Sequence, residues 1–330
     1  MKLNILKTMV LILARCTLFQ ERALAFSFPK VSRTTAASGA RLFSFTKEKP
    51  KTDDPAAPTA WNDPRIEARV KNRRRNNNNR FRQHVNPLAS TYQRPTELSD
   101  EWPRDVFDQV EGRPLHVDIG CGKGGFLLNY TVSEFAARES FNYLGLEIRP
   151  MVAQFAKERV ADRKLTGKLD FLGCNANVDL DRLLRRYHQA AMTEDNPLLL
   201  NRVSIQYPDP HFKKAHAKRR VVTADLIDTI AKYMPTNGNG SVFLQSDVQP
   251  VLDDMRDRFA EASLYFELDP LHQSETYLPE NPLGLPTERE VSVLNKDLPV
   301  YRVLFRRTSA PYEPNIEEEP KNEVSHDDTQ

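Results

Sequence analysis

Apolar positions in this chain alternate between two rhythms. Short apolar stretches at 115–119, 143–147, 169–174, 203–207 and 241–245 have the length and branching of buried strands. Between them, apolar residues recur every three or four positions, which predicts helices over 124–138, 151–163, 180–190, 224–234 and 251–262. Further strands at 264–268 and 300–305 bring the expected number to seven. Strands alternating with helices of this length imply an α/β fold, a mostly parallel sheet with right-handed crossovers and helices on both faces. The stretch before residue 300, roughly thirty residues with no assigned element, is long for a compact domain, and such loops tend to be functional.

Outside that pattern the chain divides by composition. Residues 1–50 carry nine Lys/Arg against two Asp/Glu, 51–100 ten against six, 101–312 27 against 30, and 313–330 one against seven. The expected organisation is a removable presequence (1–50), a linker and basic arm (51–100), a folded domain (101–312) and an acidic disordered tail (313–330). The net charge of +2 hides this segregation, so attraction to nucleic acid must come from local patches. One such patch is the arm at 65–82, with eight basic residues and one acid; it reads equally as a solvated segment or as an RNA-tracking arm. Cys16, Cys121 and Cys174 show no metal-ligand spacing, and their odd number without CxxC argues against a disulfide framework and a zinc site.

The N-terminus resembles an address. Lys2 and Lys7 precede the apolar run 9–14, and Ala23-Leu24-Ala25 fits a small-x-small cleavage site. Arg15, Glu21 and Arg22 depart from a plain secretory signal, and the run is too short to span a membrane. Residues 26–47 then contain no acid. A signal followed by a transit-like stretch resembles two-part plastid presequences; a mitochondrial presequence is the competing reading. No membrane association is expected of the mature form.

Two segments carry chemistry. The first, Val117-Asp118-Ile119-Gly120-Cys121-Gly122-Lys123-Gly124-Gly125, joins the first strand to the first helix, where glycines let the backbone turn sharply and approach a ligand. Gly120, Gly122 and Gly125 satisfy the dinucleotide fingerprint GxGxxG, a weak signal alone. Asp118 extends it to D-x-G-x-G-x-G, which resembles the first motif of S-adenosylmethionine (SAM) methyltransferases. Glu147, at the end of the second strand, suits a ribose diol in either reading. Seven strands with a gap before the last favour SAM over a nicotinamide cofactor. The second segment follows the fourth strand: Pro208 and Pro210 stiffen the backbone around Asp209, and Lys213, Lys214, Lys218, Arg219 and Arg220 follow within eight positions.

Together with Arg82-Gln83-His84-Val85-Asn86-Pro87-Leu88, Gly145-Leu146-Glu147-Ile148-Arg149, Cys174-Asn175-Ala176, Gln245-Ser246-Asp247 and Thr287-Glu288-Arg289-Glu290, these segments resemble the single-chain tRNA (guanine-N7)-methyltransferases of bacteria and plastids, over about residues 82–307 and in the same order. The resemblance implies a seven-stranded Rossmann-like methyltransferase sheet and a SAM pocket built from Asp118, Gly120, Gly122, Glu147, Arg149, Asn175 and Ala176. It implies Asp209 as the catalytic acid, and Asp209, Lys213, Asp247, Thr287, Glu288, Arg289 and Glu290 as contacts to the tRNA, methylated at a variable-loop guanine. Ala215 and Ala217 replace basic or polar residues usual in that family's basic stretch, which weakens the expected RNA-facing charge. No metal is implied, nor an obligate protein partner; monomer and homodimer both remain open.

Plainer readings stand beside these. Glu147 also reads as an ordinary strand-end acid, Asp247 as a cap for the following helix, and Lys213 and Lys214 as solvated surface. His84, His211 and His216 pack or contact RNA rather than act as bases, and Cys121 and Cys174 are small pocket-side or core residues. A SAM methyltransferase acting on a small molecule or protein would need neither basic segment. A non-catalytic RNA-binding subunit would lack the intact glycine loop with Glu147 and Asp209.

Overall fold

The computed structural model describes residues 85–194, 199–211 and 214–314. The expected presequence, the basic arm, Lys213 and the tail beyond residue 314 lie outside the described residues. Seven strands form one sheet: β1 (Leu115–Ile119), β2 (Asn142–Glu147), β3 (Leu169–Gly173), β4 (Leu200–Gln206), β5 (Ser241–Ser246), β6 (Phe266–Leu268) and β7 (Tyr301–Arg307). Their order is β3-β2-β1-β4-β5-β7-β6. Pairs from β3 to β5 are parallel, whereas β7 runs antiparallel to both β5 and β6.

Alternation along each strand splits the core into two layers. Val117, Leu144, Val203, Leu244 and Phe305 face one layer. It is covered by α4 (Ala176–Ala191), α5 (Ala224–Tyr233) and α6 (Gln249–Glu261). Tyr143, Phe243 and Leu304 face the other layer, under α1 (Gly125–Tyr130) and α3 (Pro150–Asp162). The two faces are therefore both covered, as parallel strands require.

The structure departs from expectation at four places. The helix expected over 124–138 breaks into α1 and α2 (Glu134–Ala137). The Thr131 hydroxyl donates to the Leu127 carbonyl at 2.6 Å, and Ser133 caps α2 by accepting from the Ala136 amide at 3.3 Å. Such short side chains compete for backbone groups and end a helix locally. The strand expected over 264–268 keeps three residues, Phe266–Leu268. The long stretch before β7 contains α7 (Glu288–Leu294), opened by a capping box in which the Thr287 hydroxyl accepts from the Glu290 amide. Finally, the packed domain begins before residue 101: the Thr96 amide donates to Asp179 at 3.1 Å, and Arg186 donates to the carbonyls of Ser99 and Asp100, each at 2.8 Å.

Candidate active site

The C-terminal ends of β1 to β4 open into one cleft of about 300 Å³. The cleft lies where the strand order reverses between β1 and β4, the place where such sheets hold ligands. Gly120 makes the turn out of β1 with φ 80°, and the amides of Gly120 and Cys121 donate to the Leu146 carbonyl at 2.8 and 3.0 Å. A Cβ built on Gly120 would meet nothing within 4 Å, so open space lies over this turn. Gly122 is left-handed too, with φ 56°. On Gly125 a Cβ would strike the Glu288 carboxylate at 2.7 Å. That close approach brings the start of α7 against the glycine loop.

Two carboxylates sit beneath the cleft. Glu147, 3% exposed, ends β2 and is gripped by Arg149. Its Oε1 accepts from the Arg149 amide at 3.0 Å and from Nε at 2.7 Å, and its Oε2 accepts from Nη2 at 3.0 Å. The hydrogen bond to Glu147 raises the Arg149 guanidinium above its ordinary pKa, with a smaller contribution from the charge of Asp209. Asp118 also is 3% exposed and stands one residue behind the cleft wall. Burial pushes its carboxyl up to about 6, against hydrogen bonds from Ser204 and Gln206 that pull it down.

Asn175 caps α4, accepting from the Asn177 amide at 3.1 Å, while its Nδ2 donates to the Tyr92 carbonyl at 3.1 Å. This ties residues 85–93 to the cleft, where Val85, Pro87, Leu88 and Gln93 form a wall. Asp209 leaves the end of β4 next to Tyr207, whose φ of 52° is left-handed. Such backbone strain in a residue preceding proline persists only where surroundings impose it; here the Tyr207 amide donates to the Gln245 carbonyl at 2.8 Å. Burial raises the Tyr207 hydroxyl well above its ordinary pKa, and its ring lines the cleft.

Gly120, Glu147, Arg149, Asn175, Ala176 and Asp209 thus share one cleft. Asp247 and residues 287–290 are not among the residues lining that cleft. Asp247 pairs with the exposed guanidinium of Arg289. Glu290 is buried and salt-bridged to Arg302 at 2.7 Å, with Asn281 Nδ2 donating to its Oε2 at 3.0 Å. Its carboxylate is therefore committed to protein partners. Thr287 is the α7 cap, and Glu288 touches the glycine loop. The sequence reading missed His116, Ser204 and Gln206 around Asp118, and Arg302, and it gave no role in the cleft to Val85, Pro87 and Leu88 or to Gln93. A signal for Ser204 and Gln206 existed: on β4 they alternate with apolar Val203 and Ile205, on the face shared with Asp118.

The donor set suits SAM. Open space over Gly120 accommodates close backbone approach, and Glu147 Oε2 accepts one Arg149 bond, which leaves acceptor capacity for a ribose hydroxyl. Asp118 supplies negative charge near a cofactor bearing an ammonium and a sulfonium. Cys174, Ala176 and Val178 give an apolar wall beside Asn175 for a base.

Comparison with known proteins points the same way. The methyltransferase family model Methyltransf_4 matches residues 112–303. The tRNA (guanine-N(7)-)-methyltransferase of Synechococcus elongatus is 46% identical over 231 residues, covering 70% of this chain and 98% of that protein. Its counterpart from Synechocystis sp. is 42% identical over 229 residues, covering 69% and 98%. That from Nostoc sp. is 41% identical over 230 residues, covering 70% and 95%. Matches of this identity, running from end to end of the relatives, leave no other assignment: the chain belongs to the tRNA (guanine-N7)-methyltransferase family.

Proposed function

We propose that this protein transfers a methyl group from SAM to N7 of a variable-loop guanine in tRNA, with Asp209 on the guanine and the 118–176 cleft on the cofactor. The observation that carries this is the meeting of Gly120, Glu147 and Asp209 in one cleft at the switch point of the sheet. Bound SAM supplies an electrophilic methyl on sulfur. The residues do the rest. Guanine N7 carries an in-plane lone pair, so no side chain has to remove a proton. What the site must supply is alignment and a counter-charge for a purine that becomes cationic. Asp209, stiffened by Pro208 and Pro210, accepts hydrogen bonds from the guanine N1/N2 edge and stabilises that charge. Glu147 and Asn175 orient the cofactor. Lys213, Asp247 and residues 287–290 contact the tRNA, the last through backbone and through Glu288 and Arg289, because Glu290 is occupied by Arg302. A target in a loop is accessible without opening a duplex.

Mass-spectrometric mapping of N7-methylguanosine in tRNA incubated with the protein and SAM tests the reading. A methyl at a variable-loop guanine is expected; methylation of small molecules or proteins in its place overturns it. Residues 1–50 are proposed as a plastid address, in line with the cyanobacterial relatives. A fluorescent fusion accumulating in mitochondria would sink that part alone.

A further inference from the structure

Behind the glycine turn lies a hydrogen-bonded row that the proposed chemistry does not use. Ser204 Oγ donates to Asp118 Oδ1 at 2.6 Å, and His116 Nε2 lies 3.0 Å from the same Oγ. Gln206 Nε2 makes a longer bond to Oδ1 at 3.4 Å, and Oδ2 accepts none of these. Two β4 side chains therefore converge on one carboxylate oxygen, with His116 standing behind Ser204.

A serine has one proton. Given to Asp118, it leaves Oγ able only to accept, so His116 Nε2 must be the donor and its ring must be the neutral Nε2–H tautomer. The surroundings favour that form. His116 is fully buried among the rings of Phe126, Tyr130 and Tyr143. Burial, then the nearby Arg202 charge, holds its pKa well below the ordinary imidazole value. Its Nδ1 has no hydrogen-bond partner among the described residues, as expected of a bare lone pair in an aromatic nest. The row is directional, from His116 through Ser204 to Asp118.

We infer that His116 and Ser204 are positioning residues for the cofactor: they fix Asp118 as an oriented anion beneath the glycine turn, with Oδ2 reserved for the cationic amino-acid end of SAM. This rests on the SAM reading above. The other charges and thiols around Asp118 are Glu147 from β2 and Cys121 in the turn, with Arg202 on β4 beyond His116. Among them Glu147 is already paired with Arg149, and burial raises the Cys121 thiol far above neutrality. Asp118 is thus the acid whose ionisation SAM binding senses between pH 5 and 7.5.

Calorimetry of SAM binding to the full-length protein across that range, with a thermal melt of each variant, tests the role. In the unmodified protein affinity falls as pH drops through about 6. Ser204→Ala and His116→Leu are expected to move the midpoint upward by about one unit, which weakens binding roughly tenfold at pH 5 and about twofold at pH 7, the scale of one hydrogen bond to a charged group. His116→Gln retains a donor and restores the midpoint. A lowered Tm with an unmoved midpoint in all variants would mean a merely structural row. Nitrogen-15 NMR of the unmodified protein gives a check that needs no variant. A neutral Nε2–H ring from pH 5 to 8 supports the row; an Nδ1–H or charged ring overturns it. Absence of SAM binding by the unmodified protein refutes the cofactor reading itself, and with it this role, whatever the ring shows.

Discussion

Asp209 and Asp118 are both acids at strand ends, and they answer to different physics. Asp209 lines the open cleft between two prolines and is half-buried. Asp209→Asn keeps the shape and removes the charge. The expected result is a fall in kcat of roughly 10²–10³, the scale of one preorganised electrostatic interaction, with SAM affinity and Tm unchanged. Single-turnover methylation at saturating tRNA, beside a SAM titration, measures both; a wild-type rate would remove Asp209 from the mechanism. Asp118 is buried, and its folded pKa of about 6 exceeds the ordinary 3.8. The folded state therefore binds this proton more tightly than the unfolded chain. Stability from this group is full below about pH 4 and is lost as pH rises through about 6, on the order of 3 kcal/mol in total. Asp118→Asn should accordingly melt several degrees higher at pH 7.5 while binding SAM less well, and the advantage should vanish near pH 4. A Tm insensitive to the substitution at both pH values would contradict the buried-anion description.

At the scale of elements, the 287–290 segment shows how one motif carries two duties. Thr-x-x-Glu is the sequence of a capping box, and Thr287 and Glu290 form one at the start of α7. The helix was legible in those four residues but was concealed by their resemblance to a substrate-contacting motif. What could not be read was the partner: Arg302 lies on β7, and only the fold brings its guanidinium to Glu290. The distinction has measurable size. Glu290→Ala would leave Arg302 buried without a carboxylate, a loss of roughly 3–5 kcal/mol. Arg289→Ala removes an exposed ion pair and should cost less than about 1 kcal/mol, its effect falling on tRNA KM instead. Denaturant melts of the two variants, run with tRNA kinetics, separate the roles; equal melts would refute the split. The five parallel strands and the helices over them were legible because each repeats one period for a full element. The break between α1 and α2 was not, because it depends on the hydroxyls of Thr131 and Ser133 choosing backbone partners.

For the whole molecule, charge is the open quantity. The folded centre is slightly acidic, so the arm at 65–82 and the residues after Asp209 are the proposed sources of attraction to tRNA. Removing 65–82 should lower the log–log salt slope of tRNA binding by roughly 0.7–0.9 for every phosphate that the arm had neutralised, read by binding titrations between low and physiological salt. An unchanged slope would mean that the arm is only solvated. The gathering of Gly120, Glu147, Arg149, Asn175 and Ala176 in one cleft was legible because these residues cluster in three short motifs at strand ends. That residues 85–93 form a wall of the cleft was not. Its attachment passes through the Asn175 side chain to backbone carbonyls, which leave no mark in composition.

The antiparallel pairing of β7 with β5 gives the chain an order of completion. During synthesis β1 to β5 emerge in sequence, the longest wait among them being that of β1 for β4, 85 or 86 positions. The far side of β5 is still open when those five strands are complete. Its backbone partners on β7 arrive 55 or more positions later, with Arg302, the residue that clamps Glu290. Until then β5 is a bare edge, open to pairing with other chains, and Glu290 has no Arg302 to pair with. A ribosome-bound chain can thus possess the glycine turn and the Asp209 edge before the 287–290 segment is anchored, so the final strand acts as the closing stitch for both the sheet edge and that segment.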